Sequence, residues 1–284
     1  RLNFEGDGAD WPNRAATSFV QAGGCRWHVQ RCGAGPLALL LHGTGASTHS
    51  WAGLMPLLAE RFTVVAPDVV GFGFTERPDG FGYDLPAWTA HVVGLLDALG
   101  LESVHVVGHS FGGALALSLA ATSPDRVRRL VLMGSVGTRF EITPGLDAVW
   151  GYQPSVASMR ALLDLFAYDP QLVSDDLAQL RYEASVRPGI QEAFSSLFPP
   201  PRQAALDALA LPDDVLATLP HDTLLVHGRE DRIIPLSSSL RLLDLIPNAQ
   251  LHVFGRCGHW TQIEQSDRFV RLVVDFLSDG TDRS

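Results

Sequence analysis

Lysine is missing from this chain: all 21 basic residues among its 284 are arginine. That absence excludes a P-loop lysine, a Schiff-base lysine and a Ser-Lys dyad. Cysteine is scarce, with only Cys25, Cys32 and Cys257. Cys25 and Cys32 bracket "RWHVQR", which as a strand at roughly 3.3 Å per residue holds them too far apart to bridge. They read as reduced, structural thiols. No CxxC pair or HExxH stretch occurs, so neither a metal site nor a cofactor is predicted. No apolar run approaches the roughly 20 residues that span a bilayer. Basic charge is in the minority, with a formal net charge of −10, so no cationic face for nucleic acid is expected. The start at Arg1 shows no leader pattern, which sets the expectation of a cytoplasmic protein. Nothing is low-complexity and 46% of residues are hydrophobic, enough for one large domain or one domain with an insertion.

What is present alternates. After a polar, turn-rich opening dozen residues, which read as an arm over the body, "CRWHVQRC" is the first expected strand. Apolar runs follow at 36–43, 62–70, 103–110, 127–136, 222–230 and 249–256. Unbroken apolar runs suit strands covered on both faces. Helical patterns at 84–99, 111–122, 236–246 and 262–278 lie between them, predicting an α/β fold with a mostly parallel sheet and helices on both faces. Residues 139–211 break the alternation. They are helix-like and aromatic, and read as a helical cap inserted into a core made of 1–138 and 212–284.

The chemistry concentrates where strands end. "VHVVGHSFGG" runs from strand to helix through Gly108-His109-Ser110-Phe111-Gly112, a turn that exposes the Ser110 hydroxyl above the sheet. A serine needs a base, and the base needs a carboxylate to set its tautomer. His259 in "GRCGHW" and Asp231 in "HGREDRIIP" both follow late strands, giving the order Ser, Asp, His; Glu230 is the rival acid. Backbone N–H groups of Phe111 and of Thr44 in "LLLHGTGAS" are the expected oxyanion donors. Gly43-x-Gly45 also suggests dinucleotide binding, but Thr48 holds the third glycine position. Gly43, Gly45, Trp51, His109, Met133, Val136, Trp150, Tyr152, Phe166 and Trp260 are the candidate pocket residues, with core packing or a structural role the alternative for each side chain. Asp68, Gly71 and Gly73 read as a loop scaffold.

"HGTG", "PDVVGFG", "GHSFGG", "GREDRIIP" and "CGHW" together resemble the α/β-hydrolase superfamily over nearly the whole chain. The fold implied is the α/β-hydrolase fold. Haloalkane dehalogenases and epoxide hydrolases are excluded, since they carry aspartate where this chain has Ser110. Residues 10–68 resemble the magnesium-chelatase accessory proteins of bacteriochlorophyll biosynthesis. That likeness implies a photosynthetic setting, a porphyrin or chelatase association, and an apolar or planar small-molecule substrate such as a tetrapyrrole ester. "VVGFGFT" and "GHSFGG" depart from that family's pattern. A second likeness, carried by the G-x-S-F-G-G elbow and "CGHW", is to meta-cleavage-product hydrolases, which cut carbon–carbon bonds with the same triad; their usual HG-x-G-P-G is "HGTGAS" here. The leading expectation is a serine hydrolase acting on an ester-like carbonyl. The alternatives are a non-catalytic porphyrin carrier and a carbon–carbon bond hydrolase.

Overall fold

Apolar runs without polar alternation need cover on both faces, and in the computed structural model, which describes residues 2–279, those of the inner strands have it, while the run at 249–256, on the sheet's edge, is half-exposed. One sheet holds β1 (Thr17–Ala22), β2 (Cys25–Cys32), β3 (Leu37–Leu41), β4 (Thr63–Pro67), β5 (Val104–His109), β6 (Val127–Met133), β7 (Thr223–Gly228) and β8 (Ala249–Phe254). Its order is β1-β2-β4-β3-β5-β6-β7-β8. The pairs from β4 through β8 are parallel; β2 runs antiparallel to both neighbours.

Side-chain alternation divides the core into two layers. Leu39, Leu41, Val104, Val106, Leu130 and Leu132 pack on α3 (Leu85–Ala98), α4 (Phe111–Thr122) and α11 (Leu236–Leu245). Ala38, Leu40, Val107, Val131 and Met133 face α2 (Leu54–Leu58) and α13 (Ser266–Ser278) on the other side. The packing explains each helix's composition. α13 buries one stripe, Phe269, Val273, Phe276 and Leu277, whereas α4 buries everything from Phe111 to Ala120 and carries no charged residue, its one buried hydroxyl, Ser118, being paired with Thr89. Each fully buried leucine there contributes roughly 1.5–3 kcal/mol relative to exposure.

Between β6 and β7 come α5 (Pro144–Trp150), α6 (Val156–Phe166), α7 (Asp175–Ser185), α8 (Ile190–Leu197), α9 (Arg202–Asp207) and α10 (Asp213–Leu216). The short α12 (Thr261–Glu264) leads from β8 to α13. The opening residues do lie over the body. From α1 (Phe4–Asp7), Phe4 packs against His28, Phe19 and Phe74, and Trp11 Nε1 donates to Thr48 Oγ1 at 2.9 Å. β1 is a strand that periodicity does not predict. It is an edge strand of mixed exposure, held by its ladder to β2 and by Arg26 lying over the Phe19 ring.

Beneath the arm, the Asp68 carboxylate is fully buried. His28 Nδ1 donates to it at 2.7 Å, Thr48 N–H at 2.7 Å and Phe74 N–H at 2.9 Å. Gly73 holds φ +54, and a Cβ there would sit 2.2 Å from the Asp68 carboxylate, so only glycine fits. Burial alone would raise the Asp68 pKa, but the His28 hydrogen bond and charge, the His42 charge and the Phe74 N–H bring it below the ordinary value. Asp68→Ala should therefore cost about 3–5 kcal/mol, read as a lowered urea midpoint. The sign with pH follows from the depressed folded value. The carboxylate stabilises the fold above the unfolded aspartate pKa of about 3.9, and that contribution disappears as pH falls through the folded value. The variant and the native chain should thus converge in stability at strongly acidic pH.

Candidate active site

At the end of β5 the chain must reverse into α4 within one residue, and Ser110 takes the strain, with φ 55 and ψ −116. Three backbone bonds hold it there. Ser110 N–H donates to Met133 O at 2.9 Å, while Ser110 O accepts from Gly113 N–H at 2.9 Å and Val136 N–H at 3.2 Å. A Cβ on Gly112 would meet Leu41 O at 2.1 Å, so the start of α4 backs directly onto β3. Phe111 opens α4, and its N–H, like those of any first helical turn, has no intrahelical partner. Gly43 lies against the same corner: a Cβ there would be 3.4 Å from Ser110 Cβ. The next residue is Thr44, whose hydroxyl accepts from Trp150 Nε1 at 3.4 Å.

The loops after β7 and β8 bring an acid to a histidine. His259 Nδ1 donates to Asp231 Oδ2 at 2.7 Å. Asp231 Oδ1 accepts from the N–H groups of Ile233 and Ile234, each at 2.9 Å, and His227 Nε2 stands 3.5 Å from Oδ2. Burial would raise the Asp231 pKa; the charges of His259 and His227, with the His259 and Ile234 hydrogen bonds, hold it below the ordinary carboxylate value. Glu230 does not compete. Its carboxylate is taken by Cys257 N–H at 3.0 Å and Arg229 Nε at 2.8 Å. With Nδ1 donating to Asp231, the other nitrogen of His259 is left to act as a base.

His109 is buried beside this pair. Its Nε2 donates to His259 O at 2.8 Å, and the two rings lie 4.6 Å apart. Burial, with the His259 charge, pushes its pKa down to about 3, so it stays neutral and holds the backbone of the His259 loop.

Aromatic side chains flank the corner on two sides. Trp150 stacks on Phe198 with centroids 4.2 Å apart and planes at 7°, and Phe198 meets Phe111 at 6.0 Å. Phe194 is the neighbour that a Cβ on Gly45 would touch, at 3.4 Å. Opposite, Phe166 stacks on Trp260 at 5.1 Å and 7°, and lies 5.7 Å from the His259 ring. Val136 is buried in the layer of α3 and α4. Tyr152 turns its hydroxyl to Ser185 at 2.9 Å, tying the turn after α5 to the end of α7. Trp51 and Met133 need correction as pocket walls. Both are fully buried in the α2 and α13 layer, where strand alternation directs Met133, so they are core packing. Among the described residues, no cluster of His, Cys, Asp and Glu could hold a metal, and no helix is long and apolar enough to cross a membrane. All three cysteines are free.

Arg181 is the residue that sequence reasoning passes over. It sits on α7, near enough to His49 to lower that ring's pKa. Burial lowers the Arg181 pKa, and among the described residues no carboxylate pairs with it. A half-buried guanidinium without a carboxylate partner is a place for an anion. On a polar helix one arginine looks like any other, so nothing in the sequence marks it.

The chain matches the family model described as alpha/beta hydrolase fold over residues 36–266. It is 58% identical over 263 residues to a 2-hydroxy-6-oxo-2,4-heptadienoate hydrolase of Pseudomonas putida, covering 92% of this chain and 95% of that one. It is 55% identical to a 2-hydroxymuconate semialdehyde hydrolase of a Pseudomonas species, over 92% of this chain and 93% of the relative. Among solved structures, a meta-cleavage product hydrolase from Pseudomonas fluorescens, complexed with acetates, superposes with a TM-score of 0.91 at 54% identity, covering 92% of this chain and 97% of that chain.

Proposed function

The chain belongs to the α/β-hydrolase family, and from that premise we propose that it hydrolyses a carbon–carbon bond in a 2-hydroxy-6-oxo-2,4-dienoate. The observation that carries this reading is the 58% identity to a heptadienoate hydrolase, spread over 92% of the chain. The chelatase-accessory reading, whether with a porphyrin as cargo or a tetrapyrrole ester as substrate, draws only on residues 10–68, and none of the three relatives described above supports it.

The proposed roles follow the chemistry of such a substrate. Moving the 2-hydroxyl proton to C5 gives the 2-oxo tautomer, in which electrons leaving the C5–C6 bond can delocalise onto the 2-oxo group. Ser110 Oγ attacks the C6 carbonyl and His259 takes its proton; Asp231 orients the imidazole and stabilises its cation. N–H groups of Phe111 and Thr44 receive the developing oxyanion. The C5–C6 bond then breaks, the imidazolium returns the proton to the departing dienolate, and the acyl group stays on Ser110. Water, deprotonated by His259, releases it as a carboxylic acid. Residues 139–211 act as the cap and the remainder as the core, with Trp150, Phe166, Val136 and Trp260 around a planar, apolar diene. Arg181 receives the C1 carboxylate.

The direct test is incubation with 2-hydroxy-6-oxohepta-2,4-dienoate, following loss of the dienolate's visible absorbance and appearance of acetate. No consumption by a protein whose Ser110 still reacts with a fluorophosphonate would overturn the substrate while leaving the serine hydrolase. Arg181→Gln is expected to raise KM about 10–100-fold with a smaller change in kcat, since a charge-assisted hydrogen bond contributes about 1.5–3 kcal/mol. Steady-state kinetics on the same compound reads it.

A further inference from the structure

The His259 loop is held from outside the core. Its residue N–H donates to Phe166 O at 2.8 Å, at the end of α6. Gly258 leaves no room between the two segments: a Cβ there would meet Phe166 O at 2.5 Å and Tyr168 N at 3.0 Å. One side chain spans this seam. Glu264, the last residue of α12, accepts from Tyr168 N–H through Oε1 at 2.7 Å. Through Oε2 it accepts from Gly258 N–H at 3.0 Å and Trp260 N–H at 3.3 Å, the two residues flanking His259, with Cys257 Sγ at 3.9 Å. The acid loop is tied to the same segment, where Arg232 Nη2 donates to the carbonyls of Asp164 and Ala167.

We propose that Glu264 is a positioning residue: a carboxylate strut between the Phe166–Tyr168 segment and the backbone on both sides of His259, which sets where the imidazole stands. A carboxylate suits this place because each of its oxygens only accepts, and the strut faces N–H donors on both sides. A glutamine offers one accepting oxygen and turns N–H toward N–H on the other side. Burial and the Asp231 charge raise the Glu264 pKa, against the pull of the Tyr168, Gly258 and Trp260 N–H groups.

The inference rests on His259 being the base, and its test separates the two. The first readout is the downfield proton resonance of His259 Nδ1–H in its bond to Asp231, which requires no substrate. In Glu264→Ala it should shift or broaden, and in Glu264→Gln less so. The second is the rate at which a fluorophosphonate labels Ser110, expected to fall about 10–100-fold in Glu264→Ala, with kcat for p-nitrophenyl acetate falling while KM holds. Tyr168→Pro removes the donor on the α6 side together with an exposed ring that makes no bond to Glu264. It should shift the same resonance, and combined with Glu264→Ala it should add little, as partners in one interaction do. If Glu264→Ala does not fold, Glu264→Gln and Tyr168→Pro carry the test. An unmoved resonance with labelling within twofold of the native rate in the folded variants overturns the strut. A shifted resonance in a protein without serine reactivity would instead keep the strut and overturn the catalytic reading.

Discussion

Ser110→Ala is expected to lower turnover of the dienoate on the order of 10⁶-fold, the loss seen when a nucleophile is deleted from a cooperating triad. The fold should survive the change. Ser110 is fixed by its backbone, through Met133 O, Gly113 N–H and Val136 N–H, and its side chain contributes no capping bond to α4. Alanine also keeps the Cβ that lies against Gly43. Substrate should still bind, because Arg181 and the aromatic walls are untouched, so the loss falls on kcat and KM changes little. Single-turnover mixing of the variant with substrate is the measurement. A variant that retained more than about 1% of native turnover would remove Ser110 from the mechanism.

Asp231→Asn is expected to cost about 10⁴-fold in kcat, for a reason the local geometry makes specific. Oδ1 of Asp231 accepts from both Ile233 and Ile234 N–H, and an asparagine must present its oxygen to those donors. Its amide N–H groups are then turned toward His259 Nδ1 and toward His227. His259 can answer only by moving its own proton to the other ring nitrogen, the one that must be empty to take the Ser110 proton. The variant should fold, with its Ile233 and Ile234 bonds intact, and lack a base. Kinetics on the purified variant, with circular dichroism to verify the fold, measures this. A rate within tenfold of native would show that the tautomer is set elsewhere. The native carboxyl, held below its ordinary pKa, is ionised at neutral pH and adds no ionisation of its own to the activity there.

Much of the fold is legible in the sequence because its signals are redundant. Apolar runs, the glycines around Ser110 and the order Ser110, Asp231, His259 all required the same sheet with the same ends together. The choice between Asp231 and Glu230 turned on two neighbouring carboxylates and needed the loop itself, where Glu230 is consumed by Cys257 N–H and Arg229. Trp51 and Met133 lie on the other face because proximity in sequence to a loop of the site does not say which face of the sheet a side chain takes. β1 gives no clear alternation because neither of its faces is consistently buried. Arg181 and Glu264 were out of reach for another reason. Each stands out through what surrounds it, the lack of a carboxylate partner among the described residues in one case and three backbone donors in the other. The proposed substrate class rests on relatives matched over most of the chain, whereas the likeness of residues 10–68 points to a different pathway.

The Asp68 carboxylate has a wider consequence. It accepts the N–H of Thr48, four residues beyond Thr44, and so anchors the far end of the loop that carries one expected oxyanion donor. One buried charge therefore secures both the integrity of the molecule and the shape of its electrophilic pocket. As acid neutralises that charge, the two fail together. Loss of structure at strongly acidic pH should therefore be steep and cooperative, and it should take the Thr44 loop with it.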